Sequence, residues 1–230
     1  MNTGFSYSSL LRYDLGAGVE AFSTRRDSVL PYPVVTGHQV HGCEIALVSS
    51  PNTSRDELRG YDALITAQNG VAIGVRTADC VPILMHDAEA HVIAAVHAGW
   101  KGTVQRIAQK VVFKMQQTFG SKPENITAVL GPAIGPDSFQ VGEEIVTYFK
   151  NQGFPLEKIW FFNEGKGESP MHHGHHVDLW KANAWLLETC GIPPGNIHVE
   201  EVDTYTDPSF FSARREGVEC GRIISAVKII

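Results

Sequence analysis

The chain has 230 residues, of which 43% are hydrophobic and 19% charged, a composition typical of globular proteins and unlike that of disordered or fibrous chains. This length allows a well-buried core, and we expect one domain spanning residues 1–230. The 19 basic and 25 acidic residues give a net charge of −6, which provides no broad basic surface for nucleic acid or an anionic membrane.

The N-terminal stretch MNTGFSYSSLLRYDLG lacks the basic and apolar regions of a secretion signal. No apolar run approaches the roughly 20 residues that a membrane helix needs. We therefore expect a cytoplasmic protein whose four cysteines stay reduced. Most of these cysteines are expected to be buried structural thiols, with one or two at most taking part in chemistry.

The first half of the chain is predicted to be mostly β-strands, because short β-branched runs alternate with turn signals. The predicted strands are GVEAFST (18–24), CEIALVS (43–49), DALIT (62–66), VAIGVR (71–76), VPILMHD (81–87) and HVIAAVH (91–97). Their short connections favour antiparallel or mixed pairing.

In the second half, helices alternate with strands. Apolar residues at helical spacing predict a helix from Gly102 to Phe119, and Asp178 is placed to cap another. The remaining predicted elements are strand ITAVLG (126–131), helix VGEEIVTYFK (141–150), strand KIWFF (158–162), the Asp178-capped helix LWKANAWLLETC (179–190), and strands IHVEEV (197–202) and RIISAVKII (222–230). This order predicts an α+β fold with sheets covered by helices.

Three segments combine small residues with metal-ligand side chains at predicted strand ends: HQVHG (38–42), TADC (77–80) and HAGWKG (97–102). Their His41, Cys80 and His97 are separated by 39 and 17 positions, too far apart for a zinc finger but suited to a site assembled from several strands. Thiolate and imidazole are usual zinc ligands, and three protein ligands leave a fourth position for water. Spacing alone leaves open the alternative that these are ordinary core residues.

Further motifs occur in the same order along the chain. They are AFSTR (21–25), QVHG (39–42), DALIT (62–66), TADCVPIL (77–84), VHAGWKG (96–102), GPAIGP (131–136), FQVGEE (139–144), DLW (178–180), FFSARR (210–215) and GR (221–222). Together they resemble the multicopper polyphenol oxidase (laccase)-like family, also called the purine nucleoside phosphorylase family of the YfiH and YlmD type. The resemblance covers the chain from about residue 20 to its C-terminus.

The resemblance implies a layered α+β sandwich with central mixed β-sheets between helices. It also implies a zinc ion held by His41, Cys80 and His97, and a contact from Arg25 to substrate or phosphate. The activities it implies are phosphorolysis of adenosine, inosine, guanosine and methylthioadenosine, together with adenosine deamination. The expected partners are therefore purine nucleosides and phosphate, and we expect a monomer or weak homodimer.

Each of these two reactions needs further groups. Deamination needs a proton shuttle beside a zinc-activated water, and Asp79 is the candidate, with a structural role in a turn as the alternative. Phosphorolysis needs a phosphate site, for which Arg25 with Arg214 or Arg215 is the candidate; a surface or carboxylate-paired role is the alternative. Trp100 is predicted either to stack on a purine or to pack between layers.

The chain departs from the family pattern in several places. Asp137 and Asp203 replace cysteines that are common in the family, which favours zinc over copper because Cu(I) prefers thiolates. Only 15 residues separate Arg25 from His41, fewer than the family pattern has, and we therefore expect part of the substrate wall, and with it the Arg25 contact, to be altered. The alternatives to a zinc-dependent nucleoside enzyme are therefore a copper-dependent polyphenol oxidase and a non-catalytic nucleoside-binding relative. The tract HHGHH (172–176) is predicted to be a surface loop that binds metal only adventitiously.

Overall fold

The computed structural model describes residues 10–165 and 173–230, which form fourteen strands and six α-helices. The strands are β1 Leu11–Tyr13, β2 Val19–Ser23, β3 Val35–Thr36, β4 Glu44–Leu47, β5 Tyr61–Thr66, β6 Ala72–Thr77, β7 Val81–Asp87, β8 Val92–Ala98, β9 Ile126–Leu130, β10 Gln140–Val141, β11 Trp160–Asn163, β12 Gly174–Val177, β13 Ile197–Val199 and β14 Ile223–Ile229. The helices are α1 Trp100–Val104, α2 Ile107–Phe119, α3 Glu143–Asn151, α4 Leu156–Ile159, α5 Leu179–Thr189 and α6 Ala213–Glu216.

Two mixed sheets form the centre of the fold. The larger has six strands in the order β13-β9-β7-β8-β5-β4, and the smaller has five in the order β1-β2-β14-β6-β3. Parallel pairs occur at β13–β9, β4–β5 and β3–β6, whereas the other pairs in these two sheets are antiparallel. Helices α1, α2 and α5 pack on the six-stranded sheet. The predicted α+β sandwich with mixed sheets covered by helices is confirmed.

The six-stranded sheet is buried on both faces, which explains the continuous apolar runs in the sequence. In β7, Ile83 and Met85 belong to the core beneath the helices, whereas Leu84 belongs to the core between the two sheets. The same alternation holds in β8, where Ala94 faces the helices and Ile93 the second sheet. These five residues are all apolar because neither face of the sheet meets water.

Two local predictions are wrong. The predicted helix 102–119 is broken at Arg106, which has a left-handed φ of 63° and separates α1 from α2. The Arg106 guanidinium donates to the carbonyl oxygen of Gln152 at 2.7 Å and lies over the rings of Phe154 and Trp185. These tertiary contacts oppose the continuous helical pattern of the sequence.

The HHGHH tract is not a surface loop throughout. Its residues 174–176 begin β12, where His176 is fully buried and stacks on Phe161 at 5.0 Å. His175 stacks on Trp160, and its Nδ1 accepts a hydrogen bond from the indole at 3.1 Å. His172 lies outside the described residues. None of the described helices has the length and apolar character needed to cross a membrane.

Candidate functional site

Four chain segments meet at one end of the six-stranded sheet. Strands β7 and β8 are antiparallel with Val81 opposite Ala98, so Cys80, which precedes β7, lies beside the end of β8 that carries His97. Strand β5 runs antiparallel to β8 and begins with Tyr61 and Asp62 at this same end. The loop with His41 precedes β4, which is parallel to β5. Sheet topology therefore brings together side chains that are 39 and 17 positions apart.

The described residues contain one group of three or more clustered metal-ligand side chains, and it consists of His41, Cys80 and His97. Their ligand atoms all lie within 4.8 Å of one another. His97 is buried, Cys80 is partly buried and His41 is exposed, so the group opens to solvent on the His41 side. One thiolate and two imidazoles form a donor set that suits zinc, and they leave a fourth position open.

Gly99 provides a second indication that the centre of this group is reserved space. A Cβ atom at this position would lie 2.8 Å from the Cys80 Sγ and 3.2 Å from the His41 ring. Real Cβ contacts are essentially never as short as the first of these distances. The glycine that follows β8 therefore lets the thiol and the imidazole approach each other, and the residues present fit a bound metal ion.

Asp62 holds two of the three ligands in place. Its buried carboxylate accepts hydrogen bonds from the backbone N–H groups of Val40, His41 and Gly42 at 3.1, 2.9 and 2.8 Å. It also lies 2.7 Å from His97 Nδ1. When Nδ1 donates to the carboxylate, His97 Nε2 is left free to bind a metal, which is the usual arrangement behind ligating histidines.

The thiol and the neighbouring imidazole change each other's protonation. Burial raises the pKa of the Cys80 thiol, but His97 and His41 stabilise the thiolate and lower this pKa to about 6. Burial lowers the pKa of His97, but Cys80 and Asp62 raise it to about 9. Burial also raises the pKa of Asp62, whereas His97 and the loop N–H groups bring it below its ordinary value. At pH 7 and without a metal, these shifts favour a thiolate at Cys80 beside an imidazolium at His97, and the thiolate is the form that binds metal.

The backbone at the site is constrained. His41 and Asp79 are non-glycine residues in the left-handed region, with φ values of 60° and 87°. The side-chain amide of Gln39 forms two hydrogen bonds of 2.8 Å with the backbone N–H and C=O of Arg76, which ties the His41 loop to β6. Such positive φ values cost energy and persist only where surrounding contacts impose them.

A cavity of about 290 Å³ adjoins the three ligands, between the ends of the two sheets. This volume is at the lower end of the roughly 300–1,000 Å³ that small-molecule sites occupy. Its charged and ligand-type lining residues are His41, Cys80, His97, Arg55, Arg76 and Arg222. None of the described residues that line it carries a carboxylate.

The arginines predicted to hold phosphate do not line this cavity. Arg25 donates to Ser209 Oγ at 2.7 Å and lies 3.8 Å from the carboxylate of Asp207. Arg214 donates from its guanidinium to the carbonyl oxygen of Gln140 at 3.1 Å. The substrate roles of Arg25 and Arg214 stay predictions, and in this structure both side chains bind protein groups.

Arg215 is engaged still more fully with its own segment of chain. Its guanidinium donates to the carbonyl oxygens of Thr204, Tyr205 and Phe210 at 2.6–2.7 Å. It also forms an ion pair of 2.7 Å with Glu216. These contacts hold together the loop that precedes α6, so the Arg215 side chain has a structural role in this segment.

Asp79 and Trp100 are close in sequence to the candidate ligands Cys80 and His97 but do not line the cavity. The carboxylate of Asp79 accepts from Thr204 Oγ1 and from the backbone N–H of Arg214, each at 2.7 Å. Trp100 begins α1, and its ring centroid lies 5.9 Å from that of Tyr148. The catalytic role of Asp79 and the stacking role of Trp100 stay predictions.

Sequence reasoning missed several residues of this site. Asp62 is the first residue of DALIT, which is otherwise an ordinary buried strand, and only the rarity of a carboxylate in such a run marks it. Arg76 directly precedes the motif TADC, and Arg222 is the second residue of the motif GR, directly before the last strand. Arg55 lies in a polar loop and carries no signal in the sequence.

Comparison with known proteins gives consistent matches. The family model described as multi-copper polyphenol oxidoreductase laccase matches residues 17–230. A purine nucleoside phosphorylase from Bacteroides thetaiotaomicron is 37% identical over 228 residues, covering 93% of this chain and 82% of the relative. Adenosine deaminase RL5, from an unknown prokaryotic organism, is 39% identical over 201 residues, covering 84% and 74%. The crystal structure of the Bacillus licheniformis hypothetical protein YfiH superposes with a TM-score of 0.85 and 25% identity, covering 100% of both chains.

Proposed function

The chain belongs to the family described as multi-copper polyphenol oxidoreductase laccase, and we propose that within it this chain is a zinc-dependent purine nucleoside enzyme. This membership confirms the resemblance predicted from the ordered sequence motifs. The proposed reactions are phosphorolysis of adenosine, inosine, guanosine and methylthioadenosine, and deamination of adenosine. The names of the two curated relatives, one a phosphorylase and the other a deaminase, support both reaction types.

One observation carries the proposal. His41, Cys80 and His97 converge within 4.8 Å at the wall of a cavity, in a chain that aligns with a purine nucleoside phosphorylase over 93% of its length. The group has three ligands, is partly open to solvent and adjoins a polar cavity. These features are typical of catalytic zinc sites and not of closed four-ligand structural sites.

The donor set also bears on the choice of metal. A multicopper oxidase centre needs ligands for several ions, whereas the described residues cluster ligands for one ion. Asp203 occupies one of the positions where cysteine is common in the family, and its carboxylate accepts hydrogen bonds from Gly135 N and Ser138 Oγ at 2.9 and 2.5 Å. These hydrogen bonds hold the carboxylate against the loop of residues 135–138. We therefore favour zinc and a nucleoside reaction over copper and phenol oxidation.

In phosphorolysis, a phosphate oxygen forms a bond to the ribose C1′ while the bond from C1′ to the purine nitrogen breaks, and the electron pair leaves with the purine. In deamination, water adds to C6 of adenine and ammonia leaves. Zinc, when bound, supplies Lewis acidity and lowers the pKa of a water ligand to about 7. The chain's own contribution is positional: Asp62 fixes the His97 ring and the His41 loop, and Gly99 leaves room between Cys80 and His41.

The test is to incubate zinc-loaded protein with adenosine and phosphate and to separate the products by chromatography. We expect adenine from phosphorolysis and inosine from deamination, both lost in Cys80→Ala. If neither product exceeds the level found with that variant, the proposal is overturned. Bound adenosine without turnover would instead indicate a non-catalytic nucleoside-binding protein. Oxidation of a phenol such as syringaldazine after copper loading would indicate the polyphenol oxidase.

A further inference from the structure

Three arginines surround the cavity beside the candidate metal site. Arg76 lies near the end of β6, Arg222 directly precedes β14 and Arg55 lies in the loop before β5. Strand β14 pairs with β6, with Ile223 opposite Thr77, so Arg222 and Arg76 come from adjacent strand ends of the same sheet. Sheet pairing therefore brings these positive charges together, although they are far apart in sequence.

These guanidinium groups have no anionic partner among the described residues. Arg25, Arg26, Arg59 and Arg215 all form ion pairs with carboxylates, whereas the three cavity arginines form none. Arg55 and Arg222 donate only to neutral acceptors, which are backbone carbonyl oxygens and the Cys220 sulfur. The guanidinium of Arg76 has no hydrogen-bond partner in the part of the chain that the structure describes.

The three charges also affect one another. Burial and the positive charges of Arg55 and Arg222 lower the pKa of Arg76 below its ordinary value. An anion placed among the three groups would relieve this repulsion. Phosphate suits such a site because planar guanidinium groups bind its oxygens through pairs of charge-assisted hydrogen bonds.

Thr77 supplies an independent indication of a ligand. It lines the same cavity and is only 2% exposed, yet its hydroxyl has no hydrogen-bond partner among the described residues. Buried hydroxyl groups are nearly always paired, because an unpaired one costs about 1–3 kcal/mol. A ligand oxygen or an accompanying water in the cavity would provide the missing partner.

We propose that Arg55, Arg76 and Arg222 bind the phosphate that phosphorolysis consumes, beside the His41, Cys80 and His97 group. The inference rests on the proposed function, and it assigns phosphate to different arginines from those that the sequence predicted. Free phosphate is the ligand to which we commit. The phosphate ester of a nucleotide presents similar oxygens to the arginines, and the binding experiment below distinguishes it from free phosphate.

The principal experiment measures adenine formation from adenosine by zinc-loaded protein at varied phosphate concentrations. We expect Arg76→Gln to raise the KM for phosphate by about 10- to 100-fold, because charge-assisted hydrogen bonds are lost. Deamination consumes no phosphate, so the ratio of adenine to inosine should fall as well. Arg59→Gln is the matched control, since Arg59 is exposed and pairs with Asp56, and it should change this KM less than twofold. An unchanged KM in Arg76→Gln would overturn the proposal.

Direct binding separates this inference from the proposed function. Calorimetric titration with inorganic phosphate alone should give a signal that Arg76→Gln weakens about tenfold or more, even in a protein that turns over no nucleoside. If wild type and Arg76→Gln bind phosphate equally and the wild type still turns over adenosine, the phosphate site is wrong but the proposed function is retained. Binding of adenosine monophosphate, but not of free phosphate, would overturn the free-phosphate assignment. Arg222→Gln provides the same comparison if Arg76→Gln does not fold.

Discussion

The substitution Asp62→Asn tests how far one buried carboxylate organises the site. Four N–H donors use it: His41 N and His97 Nδ1 at one oxygen, and Val40 N and Gly42 N at the other. Asparagine replaces one of the oxygens with an NH₂ group, which then faces two N–H donors. Hydrogen bonds to charged groups contribute about 1.5–3 kcal/mol each, so the loss of two should lower the free energy of unfolding by about 3–6 kcal/mol.

The same substitution should weaken zinc binding by about 10- to 100-fold, the usual effect of removing the partner of a ligating histidine. Urea unfolding measures the stability change, and competition with a chelating dye measures the zinc affinity. Asp56→Asn is the control, because Asp56 is 88% exposed and its surface ion pair contributes at most about 1 kcal/mol.

The pH dependence of this effect has a definite sign. Folding holds the pKa of Asp62 below its ordinary value of about 3.9, so its contribution to stability is complete above that pH and is lost as pH falls through the folded-state pKa. The stability difference between wild type and Asp62→Asn should therefore narrow as the pH falls below about 4. Equal stability and equal zinc affinity at pH 7 would refute the reasoning.

Three further predictions concern the ligands and the predicted phosphate site. In metal-free protein, the rate of Cys80 alkylation, followed by mass spectrometry, should be half maximal near pH 6, and zinc should suppress the reaction. A half-maximal rate near the ordinary thiol pKa of about 8.5 would contradict the thiolate assignment. Gly99→Ala should reduce zinc affinity about tenfold or more, because its Cβ would lie 2.8 Å from the Cys80 Sγ, whereas Gly195→Ala, with open space around its Cβ, should bind zinc as wild type does. Arg215→Met should lower the free energy of unfolding by about 2–4 kcal/mol with less than a twofold change in phosphate KM; a large rise in KM would support the substrate role predicted from the sequence.

Much of the fold was predictable because its strands carry long apolar runs. The runs 81–87 and 91–97 became β7 and β8 almost unchanged, and the Asp178 side chain caps α5 by accepting from Lys181 N at 2.9 Å. Strand β12 was missed because its Gly-His-His sequence has low strand propensity and forms only through pairing with β10 and β11. The break at Arg106 was missed because apolar spacing continues across it.

The candidate metal ligands could be picked out from the sequence, whereas the groups around them could not. His41, Cys80 and His97 lie beside apolar runs in motifs that resemble a known family, so the sequence identified all three as candidates. Which arginine faces the cavity depends on ion pairs between distant segments, such as Arg25 with Asp207, and spacing along the chain contains no such information. The role of Asp62 depends in the same way on a loop that folds back from residues 40–42.

We propose that this cavity supports phosphorolysis of a purine nucleoside beside a metal held by His41, Cys80 and His97. Phosphorus NMR of zinc-loaded protein with adenosine and inorganic phosphate follows this reaction through the fate of the phosphate. We expect the phosphate signal to fall while a sugar phosphate signal grows, in an amount equal to the adenine released, and we expect Cys80→Ala to abolish both changes. A constant phosphate signal, with or without release of adenine, would contradict phosphorolysis.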